Sequence, residues 1–142
     1  METLLLLLRA AGCGQLALVA VSPAIPYVLH WRQDTAKLRP LTRQVFWTYA
    51  GYILGAHFCF GLLSAAAPAW LLDRSPLAGC VTLFITAWWG VRLVLQFTCL
   101  DRSDAPPGVR IRLAETALVG LWIVLIAIYG CAAAADFGAF GP

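Results

Sequence analysis

Charged residues are scarce in this sequence. Asp, Glu, Lys and Arg make up 12% of the 142 residues, whereas about a quarter is typical of a soluble domain. Hydrophobic residues make up 61%, and the mean hydropathy is +0.80. Because the apolar residues are gathered in long runs, the composition excludes an ordinary soluble domain and indicates an integral membrane protein.

The sequence also lacks the patterns of most catalytic and cofactor sites. None of the five cysteines forms a C-x-x-C pair, which argues against a thiol–disulfide centre or a structural zinc site. The two histidines, His30 and His57, lie at different depths and do not suit haem ligation. Nucleophile triads, phosphate-binding glycine loops and nucleic-acid motifs are missing. We therefore expect no metal, no cofactor and no nucleic-acid partner, and an enzyme is the less favoured interpretation.

Four apolar segments are long enough to cross a bilayer as helices, which takes about 20 residues each. They span residues 4–29, 45–70, 77–100 and 112–134. No basic stretch precedes the first segment, so we interpret it as a helix, kinked near Pro23 and Pro26, and not as a signal peptide. The connections contain helix breakers such as Pro40. The sequence thus predicts an all-α integral membrane protein, with residues 1–142 forming a single four-transmembrane-helix bundle.

Basic residues are concentrated in the first and third connections. The first contains Arg32, Lys37, Arg39 and Arg43, and the third is flanked by Arg102, Arg110 and Arg112. The opposite side has only Arg74 and Arg9. By the positive-inside rule, both basic loops lie in the cytoplasm and both termini on the non-cytoplasmic side. A bacterial inner membrane is the expected location, with an organellar membrane as the alternative. Topology alone explains the first loop; the alternative is attraction to anionic lipid headgroups, worth ~1 kcal/mol per basic residue.

Aromatic residues lie near the predicted ends of the segments. Trp31 and Trp47 are near the cytoplasmic ends, and Trp70 and Tyr129 are near the outer ends. Tryptophan and tyrosine are enriched at membrane interfaces. We therefore interpret these four residues as interfacial anchors.

Arg92 lies within the third apolar segment, in ITAWWGVRLVLQFTCLDR (85–102), where a charge is costly. Along a helix it is ~13 Å from Asp101. Snorkelling to the cytoplasmic surface is one explanation, but helical Cβ atoms point toward the helix N-terminus, which here is toward the bilayer centre. A lipid-facing arginine at this depth costs at least ~2.5–3.5 kcal/mol, so we expect a partner inside the bundle.

Three residues are candidate partners of Arg92. Gln96, one turn away on the same face, could accept a hydrogen bond, and Trp88, one turn the other way, could provide a cation–π face. Glu115, one turn into the fourth segment, could balance the charge. It could instead pair with Arg112 at the rim, and the sequence leaves both alternatives open.

His57 lies just past the middle of the second segment. A neutral histidine hydrogen-bonded to a neighbouring helix is the more common case there, and a proton- or ligand-binding role is the alternative. Small residues surround it. Gly51 and Gly55 form a G-x-x-x-G pair, which together with Gly61 predicts close helix packing.

In size and helix number the chain resembles small bacterial four-helix membrane proteins such as the DoxX-like group; this resemblance includes no shared motif and implies no residue roles. Two functional hypotheses remain. The first, which we favour here, is an accessory, assembly or interaction subunit that binds other membrane proteins or itself within the lipid bilayer. The alternative is an oligomeric transporter or intramembrane enzyme for a small molecule or lipid, built on a polar cluster around Arg92 and His57. A dry contact between Arg92 and Glu115 would favour the first hypothesis, and a cavity lined by Arg92 the second.

Overall fold

The computed structural model of the protein describes residues 1–100 and 108–138, and within these ranges its regular secondary structure is all helical. Two 3₁₀ turns, Ser22–Ala24 and Pro68–Leu72, accompany six α-helices: α1 (Glu2–Val21), α2 (Ile25–Val28), α3 (Trp31–Ala36), α4 (Pro40–Ala66), α5 (Pro76–Thr98) and α6 (Val109–Asp136). The predicted all-α class is confirmed. Asp101 and Arg102 of the third connection lie outside the described residues.

Four helical stretches are long and apolar enough to cross a membrane: Glu2–Val28, Pro40–Ala66, Pro76–Thr98 and Ile111–Asp136. At most 28% of the most apolar part of any of them is buried within the chain. The surface accordingly presents many large apolar side chains, and an apolar surface of this extent is not sustained in water. The four predicted apolar helices are therefore confirmed, and they suggest a multi-pass membrane protein.

Prolines explain where the helix ends differ from the expected bounds. Pro40, expected to break a helix, instead begins α4, because a proline in the first turn loses no hydrogen bond and has a helical φ. Pro68 disfavours a helical conformation at Ala67, so α4 ends at Ala66 and a 3₁₀ turn follows. The second membrane helix is thus shifted toward the basic connection.

The helices associate as two pairs, α1 with α4 and α5 with α6. The pairs are joined by contacts between α1 and α6 and by the Pro68–Leu72 turn. At Gly12, α1 approaches the α4 backbone so closely that an added Cβ would lie 2.8 Å from the carbonyl oxygen of Gly61. Between α4 and α5 the backbones are farther apart, and aromatic rings fill the gap. Phe60 of α4 packs against Trp88 of α5 with ring centroids 5.6 Å apart.

A buried hydrogen-bond network connects three of the long helices. Gln15 Nε2 of α1 donates to the Tyr129 hydroxyl of α6 at 2.6 Å, and the Ser64 hydroxyl of α4 bonds to the same oxygen. Tyr129 is 0% exposed, so its predicted role as an interfacial anchor is wrong. Its ring belongs to the core because it lies on the face of α6 that meets α1 and α4, where its hydroxyl has partners.

The turn between α4 and α5 is built from local hydrogen bonds. Ser75 caps α5 by accepting from the Ala78 backbone N–H at 3.1 Å. Hydrogen bonds from the Ser75 side chain and backbone hold the pKa of exposed Asp73 below its usual value. Asp136, at the end of α6, accepts from the Arg74 backbone N–H at 3.2 Å and from Thr82 at 3.4 Å. The turn is thereby attached to both α5 and α6.

Candidate functional site: a cavity reaching His57 and Arg92

A cavity of about 950 Å³ lies between α4 and the segment that follows α1. Along α4 its wall extends from Phe46 to His57, a helical rise of ~16 Å. Trp31, Trp47 and other aromatic and apolar residues form most of the lining. Arg92 is the one α5 residue among the lining residues. The cavity thus combines an extended apolar wall with polar side chains, among them His57 and Arg92 from facing helices.

The wall opposite α4 results from a break in the first membrane helix. Pro23 and Pro26 fall at the change from α1 to the 3₁₀ turn and α2. His30 then adopts a left-handed conformation with φ 54°, which turns the chain into α3. Trp31 packs edge-on against Phe46, with ring centroids 5.3 Å apart, so this segment is attached to the start of α4.

Arg92 is held by a hydrogen bond and by an aromatic face. Its Nη1 donates to Gln96 Oε1 at 3.0 Å, and its guanidinium carbon lies 4.3 Å from the centre of the Trp122 ring. Gln96 Nε2 in turn donates to Glu115 Oε1 at 2.7 Å. Because a carboxylate only accepts, Glu115 orients the Gln96 amide so that its oxygen faces Arg92. Gln96 therefore connects Arg92 and Glu115, whose direct pairing is one of the two alternatives that the sequence leaves open.

The cation–π partner of Arg92 is Trp122 of α6, which the sequence analysis missed. Trp122 is two helical turns from Glu115, so both lie on the face of α6 that meets α5. That spacing was a signal that could have identified it. Trp88, which the sequence analysis proposed for this role, contacts His57 instead.

His57 contacts two tryptophans of α5. Its Nε2 accepts a hydrogen bond from Trp88 Nε1 at 3.0 Å, and its ring stacks on Trp89 with centroids 4.7 Å apart. Since Nε2 is the acceptor, neutral His57 carries its proton on Nδ1. Trp88 and Arg92 are one turn apart on α5, so the imidazole and the guanidinium occupy neighbouring positions at the cavity wall.

The three glycines expected to mediate helix packing have different surroundings. At Gly61 an added Cβ would lie 3.1 Å from Leu16 of α1, so this residue is at the α1–α4 interface. At Gly51 and Gly55 an added Cβ would meet no atom of the described chain within 4 Å. Gly51 also lines the cavity. The close approach of α1 and α4 therefore depends on Gly12 and Gly61.

The four basic residues of the first connection have separate positions. Arg32 lines the cavity, Lys37 forms an ion pair with Asp34 at 3.4 Å, and Arg39 and Arg43 are exposed at the start of α4. Across residues 1–100 and 108–138, no group of three or more His, Cys, Asp or Glu side chains is placed to hold a metal ion.

No protein-family model, no curated protein and no solved structure matches this chain.

Proposed function

We propose that this is a multi-pass membrane protein that binds a small amphiphilic molecule with an oxyanion head group, such as a fatty acid, in the cavity beside α4. In this proposal Arg92 and His57 donate hydrogen bonds to the head group, and the apolar chain lies along α4. One observation supports it above all: an arginine and a histidine from facing helices line a large aromatic cavity.

The hydrogen-bonding capacity of Arg92 supports an anionic head group. A guanidinium has five N–H donors, and Gln96 accepts from one nitrogen of the group. The Trp122 face stabilises the cation without accepting a conventional hydrogen bond. The remaining donors suit a carboxylate or phosphate, which accepts two hydrogen bonds from arginine in a planar arrangement.

The size and lining of the cavity support a small ligand with an apolar body. Sites for small molecules typically have volumes of roughly 300–1,000 Å³ and mostly apolar walls with a few placed polar groups. This cavity has about 950 Å³ and combines rings such as Phe46 and Trp47 with the Arg92 and His57 side chains. We therefore prefer binding of a small molecule to the accessory, assembly or interaction role that the sequence alone favours.

The orientation of the chain belongs to the same proposal. Residues 1–142 form one transmembrane domain with the two basic connections in the cytoplasm and both termini outside, in a bacterial inner membrane. The cavity, which reaches His30 and Arg32, then opens in the cytoplasmic half of the bilayer. Basic residues there would attract anionic amphiphiles to its entrance.

An assembly subunit remains a second candidate, because one face of α4 is unoccupied by the described chain. Gly51 and Gly55 lie on it with open space at each Cβ position. Closely spaced small residues let membrane helices approach each other. A second copy of this chain, packed there through its own α4, is the simplest occupant.

The test of the binding proposal compares Arg92→Gln with Arg43→Gln in detergent-purified protein. Tritiated palmitate serves as the probe, and saturation is followed by scintillation proximity. Hydrogen bonds to charged groups contribute about 1.5–3 kcal/mol, so we expect Arg92→Gln to weaken binding at least tenfold. Arg43 is exposed and does not line the cavity, so Arg43→Gln controls for the loss of one basic charge and should weaken binding far less than Arg92→Gln does.

Two further measurements show whether a loss of binding is due to unfolding or to the loss of the Arg92 charge. Thermal unfolding of Arg92→Gln shows whether the fold survives, and Arg92→Lys, which retains the charge, should keep part of the affinity if the charge matters. The proposal is wrong if the unsubstituted protein does not take up palmitate, or if Arg92→Gln and Arg43→Gln bind it equally.

A further inference from the structure

At the end of the cavity lined by His57 and Arg92, these two side chains offer hydrogen-bond donors and not acceptors. The Trp88 indole N–H donates to His57 Nε2, which occupies the acceptor of the neutral imidazole. Nδ1–H is then the group that His57 has left for a ligand. A histidine without such a neighbour could present either nitrogen as the acceptor. Trp88 thus determines which kind of group His57 offers.

Arg92, like His57, has only donors to offer a ligand. Hydrogen bonds through Gln96 to Glu115 hold its side chain in place. Glu115 accepts from Gln96, and the Gln96 oxygen accepts from Arg92, so the amide cannot turn its N–H₂ toward the guanidinium without losing both bonds. A guanidinium has donors and no acceptor. The hydrogen-bonding groups that the His57 and Arg92 side chains have left are therefore donors.

We infer that Trp88 is a positioning residue that makes the cavity select head groups with acceptor oxygens alone, a carboxylate or a phosphate, over alcohols and amines of equal chain length. This inference rests on the proposed function, since it specifies the head group of the same ligand. An alcohol brings a donor hydrogen for which neither the His57 side chain nor the Arg92 side chain supplies an acceptor. An amine brings a positive charge next to Arg92.

The experiment compares Trp88→Phe with the unsubstituted protein. Phenylalanine keeps a ring against Phe60 and His57 but removes the N–H. Competition against tritiated palmitate gives the affinities of palmitate, hexadecyl phosphate, hexadecanol and hexadecylamine. We expect the preference for palmitate over hexadecanol to fall by about 2- to 10-fold in Trp88→Phe, the effect of one neutral hydrogen bond. Palmitate and hexadecyl phosphate in the unsubstituted protein show which oxyanion is preferred.

A spectroscopic measurement reports on Trp88 without any ligand. The chain has two histidines, so ¹⁵N-histidine labelling gives two imidazoles to assign, with His30→Gln identifying the other one. His57 should have its proton on Nδ1 in the unsubstituted protein, and Trp88→Phe should move population to the Nε2–H form. Trp70→Phe is the matched control, because Trp70 is exposed near the opposite end of α4.

The outcomes separate the two proposals. If palmitate does not bind, or binds independently of Arg92, the proposed function fails. If binding depends on Arg92 but Trp88→Phe keeps the palmitate preference, the inference about Trp88 alone fails. An Nε2–H tautomer of His57 in the unsubstituted protein also overturns it, even if Trp88→Phe does not fold.

Discussion

Tyr129 shows how one residue can organise a bundle that has few polar contacts. Its hydroxyl lies between α1 and α4 and bonds to Gln15 and Ser64, both fully buried. In a membrane the hydrophobic effect does not hold helices together, so packing and interhelical hydrogen bonds carry more of the association. Removing this hydroxyl leaves two buried polar groups with one partner fewer each.

Tyr129→Phe is therefore expected to lower the free energy of unfolding by about 1–3 kcal/mol, the cost of leaving buried polar groups unsatisfied. Unfolding can be followed by circular dichroism during titration of detergent-solubilised protein with sodium dodecyl sulfate. Tyr52→Phe is the matched control, because Tyr52 also lies on a long helix but is 72% exposed. Equal midpoints for the two variants would show that the network contributes little to stability.

At the scale of single residues, contacts within one helix could be predicted from the sequence, and contacts between helices could not. The Arg92–Gln96 bond follows from a spacing of four residues. The Trp88–His57 bond and the Trp122 face depend on how α4 and α6 are rotated about their axes against α5. Most residues of these helices are apolar, so few positions in the sequence indicate that rotation; the spacing of Glu115 and Trp122 is one that does.

At the scale of the helices, side-chain size decides how closely two elements approach. Gly12 brings α1 against the backbone of α4, whereas the rings of Phe60, Phe84 and Trp88 keep α4 and α5 apart. The spacing of Gly51 and Gly55 predicts close helix packing at these two residues. That spacing identifies a narrow helix face, but it does not say whether a helix of the same chain covers it.

Gly12→Ala is expected to destabilise the fold by about 1–3 kcal/mol through overpacking, because its Cβ would meet the α4 backbone and not a movable side chain. Gly55→Ala is the control: its Cβ would enter open space, and surface changes of this kind usually stay within about 0.5 kcal/mol. Unfolding in sodium dodecyl sulfate compares the two, and equal losses would contradict the close approach at Gly12.

Native mass spectrometry of Gly55→Ala tests the second candidate function: loss of a dimer would support assembly through α4, and an unchanged mass would oppose it.

Across the whole molecule, charge and cavity are on the same side of the bundle. Four basic residues lie between the break after α1 and the start of α4: Arg32, Lys37, Arg39 and Arg43. The cavity begins in the same part of the chain. The number of long helices followed from the length of the apolar runs. The cavity did not, because it arises from the kink at Pro23 and Pro26 and from the turn at His30, whose geometry a hydropathy pattern does not contain.

The orientation of the chain in the membrane can be measured with reporters on the full chain in a bacterial host. The first connection has four basic residues against Arg9 and Arg74 on the opposite side, so we expect it in the cytoplasm and the C-terminus outside. Alkaline phosphatase at the C-terminus should then be active, and green fluorescent protein there should be dark. Green fluorescent protein inserted between Lys37 and Leu38 should fluoresce.

Replacing Arg32, Lys37, Arg39 and Arg43 with glutamine should weaken the preference for this orientation and produce mixed orientations. The opposite reporter pattern in the unsubstituted chain would place the cavity entrance in the outer half of the bilayer, and an oxyanion ligand would then have to come from outside the cell.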